Sequence, residues 1–475
     1  MTTYTSAIDD QQLERLQGVV HGDVVQPGDP DYDEARKVYN AMHDKRPAII
    51  VRAVDTGDVV AAVDFAREQG LMLAVRGGSH SVSGYGTCDD GLVLDLGRMR
   101  GIRVDPQART ARAEGGCTWA DLNHATHVFG LATTGGVVSS TGIGGLTTGG
   151  GMGYLARRCG LACDNLISVD MVTADGSFLT CTEEQNADLL WGVRGGGGNF
   201  GVVTSFEYRL HPVADILGGP TFYPLDGDVM RRYRELIAES DETFSALLAV
   251  TLGPRLPFLP ERWHGRPLCG VVTCWTGPED RDDQVRARLG ELGPVVGQHV
   301  GRMPYPVINT LFDEELPAGL FHYWKGTFSR GLPDGAIDAY TEFGATTPTI
   351  QSATVVFPID GACHRVGPEE TAFAYRDADF STALSPTLPT RAECEDTIGW
   401  ARAFHGALKP YSQEGGYVNF MDQDDQDRVE INYRQNYDRL TMLKQRYDPG
   451  NLFRLNHNIE PWMIYSKGSV IVGDQ

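Results

Sequence analysis

Short apolar runs separated by polar turns predict a strand–helix–strand unit near the start of the chain. Residues 47–52 form an apolar run typical of a buried strand. Asp55 then supplies an N-cap, the apolar positions that follow it fall on one helical face, and Gly70 ends the helix. A second strand is predicted at 71–75. The loop after that strand therefore lies at a carboxyl end, where α/β units bind ligands.

Three glycine-dense segments each adjoin a predicted strand. They are 76–85, which contains a single histidine, 134–153 and 195–201. Because glycine lets a backbone approach a ligand closely, and successive N–H groups can bind an anion, these segments indicate a large ligand held by main chain. No Lys-Ser/Thr pair follows them, and no G-x-G-x-x-G lies between a strand and a helix. A Walker loop and a nicotinamide-type Rossmann site are therefore both unsupported.

The pattern changes at about residue 212 and returns at about 417. Between these points glycine clusters are absent, and helices predicted at 228–240 and 278–292 alternate with strands predicted at 247–252, 269–276 and 351–358. This alternation predicts an inserted α+β domain with its own sheet. Residues 1–47 are predicted to be a helical lead-in.

Composition excludes several classes of function. The 475 residues include 41 basic and 63 acidic side chains, and a net charge of −22 disfavours nucleic-acid binding. Nine scattered cysteines without paired spacing predict reduced thiols and no metal site. The first residues carry no signal-peptide pattern and no apolar run reaches a membrane span, so we expect a cytoplasmic protein that does not bind membranes.

The motifs taken together resemble one family. Arg76-Gly77-Gly78-Ser79-His80, the block 142–153, Asp164-Asn165, Gly197-x-Asn199-Phe200-Gly201, Tyr417-x-Asn419 and the tail Tyr447-Asp-Pro-x-Asn451-x-Phe453 occur in the order found in the vanillyl-alcohol oxidase and p-cresol methylhydroxylase flavoproteins. Within that superfamily the chain resembles the berberine-bridge-enzyme-like branch. The resemblance covers 47–211 and 417–461.

This resemblance implies an α+β fold with a discontinuous, two-subdomain FAD-binding domain at 1–211 and 412–475. A substrate-binding domain with an antiparallel sheet is inserted at 212–411. The residues expected to contact FAD by resemblance are Arg76, Gly77, Gly78, Ser79, His80, Ser81, Gly84, Tyr85, Val138, Thr141, Gly142, Gly144, Gly145, Thr148, Gly149, Gly150, Gly153, Asn199, Gly201, Val202, Val203, Tyr417, Asn419 and Asn456.

The family further implies a covalent bond between His80 and the flavin 8α-methyl group. Some members attach the flavin a second time through a cysteine four residues before the glycine matched by Gly142. That position is Val138 here, so the resemblance implies a flavin attached through His80 alone.

The family chemistry is hydride transfer from a carbon bearing O–H or N–H, or from an activated C–H, to the flavin. Tyr417 is the expected base, although its phenol could instead only pack on the flavin. Thr141, expected near the oxygen-reacting face, leaves room for O2. Its hydroxyl also keeps open a second outcome, in which an oxygenated flavin delivers oxygen to a polyketide-like substrate.

The expected function is therefore an FAD-linked oxidase that acts on a small molecule, of secondary metabolism rather than central metabolism, and reduces O2 to hydrogen peroxide. A nicotinamide-dependent flavin reductase is a further alternative, and we expect a monomer or homodimer. In the inserted domain, four residues in strand-like runs are candidates for the substrate pocket: His322, Tyr323, His364 and Tyr375.

Overall fold

The computed structural model describes residues 8–462. The first part of this chain, to Pro212, is built on two larger sheets and one two-stranded sheet, formed by its seventh and eleventh strands. Its strands are β1 (Asp23–Val25), β2 (Ile49–Arg52), β3 (Leu73–Arg76), β4 (Leu92–Asp95), β5 (Ile102–Asp105), β6 (Thr110–Glu114), β7 (Leu131–Ala132), β8 (Leu166–Val172), β9 (Phe178–Cys181), β10 (Val202–Arg209) and β11 (His211–Pro212). Its helices are α1 (Asp10–Val19), α2 (Tyr32–Ala35), α3 (Thr56–Glu68), α4 (Trp119–His127), α5 (Ile143–Thr148), α6 (Ala156–Cys159) and α7 (Ala187–Val193).

The second part is built on one large sheet. Its strands are β12 (Asp215–Pro224), β13 (Phe244–Leu252), β14 (Pro267–Trp275), β15 (Gly297–Gln298), β16 (Gly301–Pro304), β17 (Phe321–His322), β18 (Lys325–Ser329), β19 (Ala353–Pro358), β20 (Phe380–Ser385) and β21 (Thr387–Leu388). Its helices are α8 (Gly227–Glu239), α9 (Asp282–Glu291), α10 (Tyr305–Ile308), α11 (Asp334–Gly344) and α12 (Cys394–Leu408), after which α13 (Val429–Tyr433) and α14 (Tyr437–Tyr447) return to the first part.

Sheet topology separates the two parts. In the first sheet, of order β1-β2-β4-β3, strands β2 and β3 both run parallel to β4. The second, of order β5-β6-β10-β8-β9, is antiparallel throughout. The large sheet, of order β15-β12-β14-β13-β19-β20-β18 with β16 beside β12, is also antiparallel. The predicted α+β class and the separate antiparallel sheet are confirmed.

Local capping explains why the first helices form where the sequence predicts them. The Asp55 carboxylate accepts the Asp58 N–H at the start of α3, and Gly70 beyond its end has φ +64°. Thr118 and Asp121 form a reciprocal capping box on α4. The helical lead-in predicted over residues 1–47 was only partly right. Helices α1 and α2 form there, but α2 ends at Ala35, and Asp23–Val25 form a strand that pairs with β2.

One side of the large sheet packs on its own helices and the other faces the first part of the chain. Tyr233 on α8 and Phe404 on α12 are buried in the core on the helical side. Across the opposite face, the Arg376 guanidinium binds the Asp164 carboxylate through two nitrogens, at 2.8 and 2.6 Å. Arg157 pairs in the same way with Asp360. The Arg157 and Arg376 side chains are each only 3% exposed. These ion pairs hold the two parts of the chain against each other, and a cavity lies between the two parts.

The predicted domain limit at 211/212 falls within the two-residue strand β11, and the limit at 411/412 follows the 3-10 turn Lys409–Tyr411 beyond α12, so both limits stay predictions. All nine cysteines are buried free thiols. Within residues 8–462 no helix is both long and apolar enough to cross a bilayer.

Candidate active site

The histidine-bearing loop leaves the end of β3 and turns back against the second glycine segment. Ser79 and Gly84 both take positive φ, +63° and +68°. Gly78 meets Gly142 main chain to main chain, so closely that a Cβ on Gly78 would lie 2.2 Å from the Gly142 nitrogen. A side chain at either position would separate the two loops. The sequence must therefore place glycine at both.

The cavity has a volume of about 340 Å³ and two unlike walls. One wall is the main chain of the three glycine segments, completed by the C-terminal stretch around Asn456. The other wall is formed by side chains: Met152, Trp324, Phe357 and Phe420. Tyr417 and Asn419 lie where the walls meet, since the Asn419 amide donates both to the Leu146 carbonyl and to the Tyr417 oxygen.

Most residues that the sequence assigned to the cofactor line this cavity. Three do not and have packing roles instead. Gly84 packs on the His43 ring, Gly150 on Phe373, and Gly153 on the Gly135 carbonyl. The lining residues are Arg76, Gly77, Gly78, Ser79, His80, Ser81, Tyr85, Val138, Thr141, Gly142, Gly144, Gly145, Thr148, Gly149, Asn199, Gly201, Val202, Val203, Tyr417, Asn419 and Asn456.

Two of these lining residues have their polar groups engaged elsewhere. The Arg76 guanidinium donates to the Asp95 carboxylate at 2.6 Å and to the Ala35 and Lys37 carbonyls. Asn199 is fully buried, and its side chain ties the third glycine segment to the chain near Ile459. Both residues therefore fix the shape of the glycine wall through bonds within the protein.

His80 is held on three sides. Its Nε2 lies 2.9 Å from the Ser140 hydroxyl and its Nδ1 lies 3.5 Å from the Thr141 hydroxyl. Tyr39 stacks on the ring at 3.9 Å between centroids. Burial, and secondarily the neighbouring His322, lowers the pKa of His80 to about 4. At neutral pH the imidazole is therefore uncharged and keeps a nitrogen lone pair for bond formation.

The segment around Tyr39 was missed by the sequence reasoning. The Tyr39 hydroxyl donates to the Leu316 carbonyl, and its ring stacks on both His80 and His322. Next to it, buried Asn40 donates to the Val82 and His322 carbonyls. This segment thus clamps the histidine loop to the inserted domain. No local pattern marks it, because its partners lie far away in the sequence.

Tyr417 is buried, and its phenol oxygen accepts two hydrogen bonds. The donors are the Gly151 N–H and the Asn419 amide, both at 2.8 Å. Burial raises the pKa of Tyr417 well above its ordinary value, and the two donors act in the opposite direction by favouring the phenolate. Two donors aimed at one phenol oxygen favour an oxygen that releases its own proton or passes it on.

The four substrate-pocket candidates lie outside the cavity lining. His322 is buried in β17 behind Tyr39, and the Tyr323 hydroxyl donates to Asp424. His364 lies in a 3-10 turn at Gly361–Arg365 and Tyr375 in an irregular stretch, so the prediction of strands there was wrong. Both residues instead make main-chain contacts, His364 with the Ala378 carbonyl and Tyr375 with that of Ile431.

The shape of the glycine wall fits FAD. No atom lies within 4 Å of the point where a Cβ on Gly145 or Gly198 would stand, and both glycines line the cavity. Bare main chain therefore faces open space at these positions, which suits a phosphate-bearing cofactor approached by N–H groups. The residues present would hold FAD along this wall with His80 in reach.

Known proteins show the same organisation. Residues 47–182 match the family described as FAD binding domain, and residues 416–460 match that described as berberine and berberine like. An FAD-linked oxidoreductase from Dictyostelium discoideum is 32% identical, over 93% of this chain and 95% of that protein. (R)-6-hydroxynicotine oxidase from Paenarthrobacter nicotinovorans is 30% identical, over 93% and 97%. The crystal structure of 6-hydroxy-D-nicotine oxidase from Arthrobacter nicotinovorans matches with a TM-score of 0.83 at 28% identity, covering 93% and 98%.

The fold and the two-walled cavity define an FAD-dependent oxidoreductase. The chain belongs to the berberine-bridge-enzyme-like branch of the vanillyl-alcohol oxidase and p-cresol methylhydroxylase superfamily.

Proposed function

We propose that this protein is an oxidase whose FAD is attached through His80 alone. It removes a hydride from a C–H next to oxygen or nitrogen, or from an activated C–H, of a small molecule of secondary metabolism, and it passes the electrons to O2 as hydrogen peroxide. Bound FAD supplies hydride acceptance and reoxidation by O2. The observation that carries this proposal is Tyr417, whose oxygen is fixed by two donors at the junction of the cavity walls.

Tyr417 acts, as its phenolate, as the base for the substrate's O–H or N–H proton. Its own proton leaves to water first, and the Gly151 and Asn419 donors stabilise the negative charge that remains on the oxygen. The same two donors hold this oxygen in place, so that the substrate proton is taken without reorientation of the ring. Asn419 in turn is fixed by the Leu146 carbonyl, so the glycine wall itself positions the base.

His80 anchors the cofactor. Its neutral ring, oriented by Ser140, Thr141 and Tyr39, presents a nitrogen for the bond to the flavin 8α carbon. Val138 lines the cavity where other members of the branch carry a cysteine, and a valine side chain forms no second bond.

Acid precipitation tests the attachment. Native protein should give a yellow pellet, and His80→Ala a colourless pellet although its native form still binds FAD. A yellow His80→Ala pellet would contradict attachment through His80 alone, since a second residue would then hold the flavin.

A peroxide assay tests the oxidase step. The enzyme is reduced under anaerobic conditions and then exposed to air, and the hydrogen peroxide formed is measured.

Two other outcomes would redirect the proposal. If 18O from O2 appears in an organic product and this insertion is lost in Thr141→Val, the protein is a flavin-dependent oxygenase. If NADH or NADPH reduces the flavin rapidly and no peroxide forms in air, the protein is a nicotinamide-dependent reductase.

A further inference from the structure

The side-chain wall of the cavity is a cluster of aromatic rings. Phe420 is its centre, with ring centroids 5.7 Å from Trp324, 5.5 Å from Phe357 and 4.7 Å from Tyr417. Trp324 and Phe420 both line the cavity. Large aromatic rings that line a concave site form a surface suited to a flat apolar ligand.

The same cavity offers no free charge among its described lining residues. Arg76 is the one lining side chain of the Asp, Glu, Lys or Arg type, and its guanidinium is bonded to Asp95 and to two carbonyls. The lining histidines, His80 and His457, are uncharged at neutral pH because burial lowers the pKa of each to about 4. A charged substrate would therefore be buried without a partner, which weakens its binding.

Polar partners are few on this wall as well. Beside the Tyr417 and Asn419 pair, its side chains are Met152, Val137 and the rings described above, of which only Trp324 adds a polar group, an indole N–H without a hydrogen-bond partner among the described residues. A sugar presents hydroxyl groups around its whole edge, and each one buried without a partner costs free energy. The wall therefore disfavours saccharides for the same physical reason that it disfavours ions.

We propose that the substrate is a neutral, planar aromatic molecule that lies on Trp324 and Phe420, with its oxidised C–H directed toward the Tyr417 side of the cavity. This inference rests on the proposed function for the identity of the reacting bond. Recognition by the aromatic wall is a property of binding and can be measured without turnover.

The test is the equilibrium binding of three probes to the FAD-loaded enzyme by calorimetry. The probes are 2-naphthol, 2-naphthol-6-sulfonate and cellobiose. The first two differ by one anionic group, so their comparison isolates charge. We expect 2-naphthol to bind at least about tenfold more tightly than either other probe. Equal or tighter binding of the sulfonate or of cellobiose, or no binding of 2-naphthol, would overturn the proposal.

Variants locate the binding surface. Trp324→Ala and Phe420→Leu should each weaken 2-naphthol binding by about fivefold or more, because each removes an aromatic ring on which the probe stacks. Trp324→Phe should keep most of the affinity. The matched control is Phe258→Leu, since Phe258 is also half-buried and stacked but lies outside the cavity lining. Each variant is first checked for bound flavin, so that a misfolded protein is not scored.

An equal loss of 2-naphthol affinity in all the variants, Phe258→Leu included, would show that Trp324 and Phe420 do not form the binding site. The proposed function fails separately, if reduced flavin returns to the oxidised form in air without peroxide. Each of the two ideas can therefore fail without the other.

Discussion

One wall of the cavity is formed by main-chain atoms and the other by side chains. The cofactor wall is main chain, in which Gly78 and Gly142 interlock and Gly145 and Gly198 leave space. The side-chain wall, which we propose binds the substrate, is centred on Phe420. A main-chain wall fixes its residue types, since any Cβ changes its shape. A side-chain wall can change shape through single substitutions that leave the backbone unchanged. We therefore expect the main-chain wall to accept fewer substitutions than the side-chain wall.

The largest effect should come from adding one methyl group to the cofactor wall. Gly78→Ala places a Cβ 2.2 Å from the Gly142 nitrogen, so the loops must part, and we expect bound FAD to be lost. Gly290→Ala on α9 is the control, because no atom lies within 4 Å of its Cβ position. The ratio of flavin to protein absorbance measures the result. Normal flavin content in Gly78→Ala would remove the distinction between the walls.

Tyr417→Phe should lower kcat/KM by about 10²–10⁴-fold while flavin content stays normal, because the base is lost and the ring remains. The rate of flavin reduction by substrate, followed by stopped flow under anaerobic conditions, measures this loss. Tyr154→Phe is the matched control, since Tyr154 is buried in the same core cluster and its hydroxyl has no hydrogen-bond partner among the described residues. An unchanged reduction rate in Tyr417→Phe would assign Tyr417 to packing.

A smaller effect is expected at the clamp between the two parts. Tyr39→Ala removes the ring stacked on His80, and about 0.5–1.5 kcal/mol of lost stacking should slow covalent attachment by about two- to tenfold. Tyr39→Phe keeps the stack and loses only the bond to Leu316, so its rate should stay near that of the native protein. The appearance of acid-stable flavin after FAD is added to apoprotein gives both rates. Equal rates in all three proteins would show that Tyr39 does not orient His80.

The smallest predicted effect is a loss of stability at acid pH. Burial lowers the pKa of His322 to about 4, below the value of about 6.5 expected for the unfolded chain. The unfolded state therefore binds more protons between these values, and stability falls as pH drops below about 6.5.

We expect His322 to contribute a loss of about 1 kcal/mol in the free energy of unfolding between pH 7 and pH 5.5. Urea denaturation of His322→Gln should show a shallower decline with falling pH. His124→Gln, on the exposed surface of α4, is the matched control for the replacement of a histidine. Identical slopes in both variants would exclude His322 as a source of acid sensitivity.

The same difference between the walls explains what could be predicted from sequence. Glycine is the only residue that meets the demands of Gly78 and Gly142, so the cofactor wall leaves a local pattern that can be read. Trp324 and Phe420 leave none, because an aromatic residue in a cavity has the same local pattern as one in a core. The four candidates taken from strand-like runs, such as His364, therefore lie outside the cavity lining, and Tyr39 was not predicted.

More of the fold than of the side-chain wall could be predicted from the sequence. Capping at Asp55 and Thr118 and the change in pattern near residue 212 are local signals, so the helices and the inserted domain could be placed. The clamp at Asn40 and the pair of Arg376 with Asp164 join distant residues, and the spacing of apolar positions does not show which distant residues will meet.

The junction between Ser83 and Met421 has a consequence for how the enzyme is made. The Ser83 hydroxyl donates to the Met421 carbonyl across 338 residues of sequence. A ribosome therefore translates the whole inserted domain after the histidine loop has emerged and before Tyr417 is made. The cavity between the two parts of the chain can therefore be completed only after residue 421 has been made, and until then the histidine loop lacks its final neighbours.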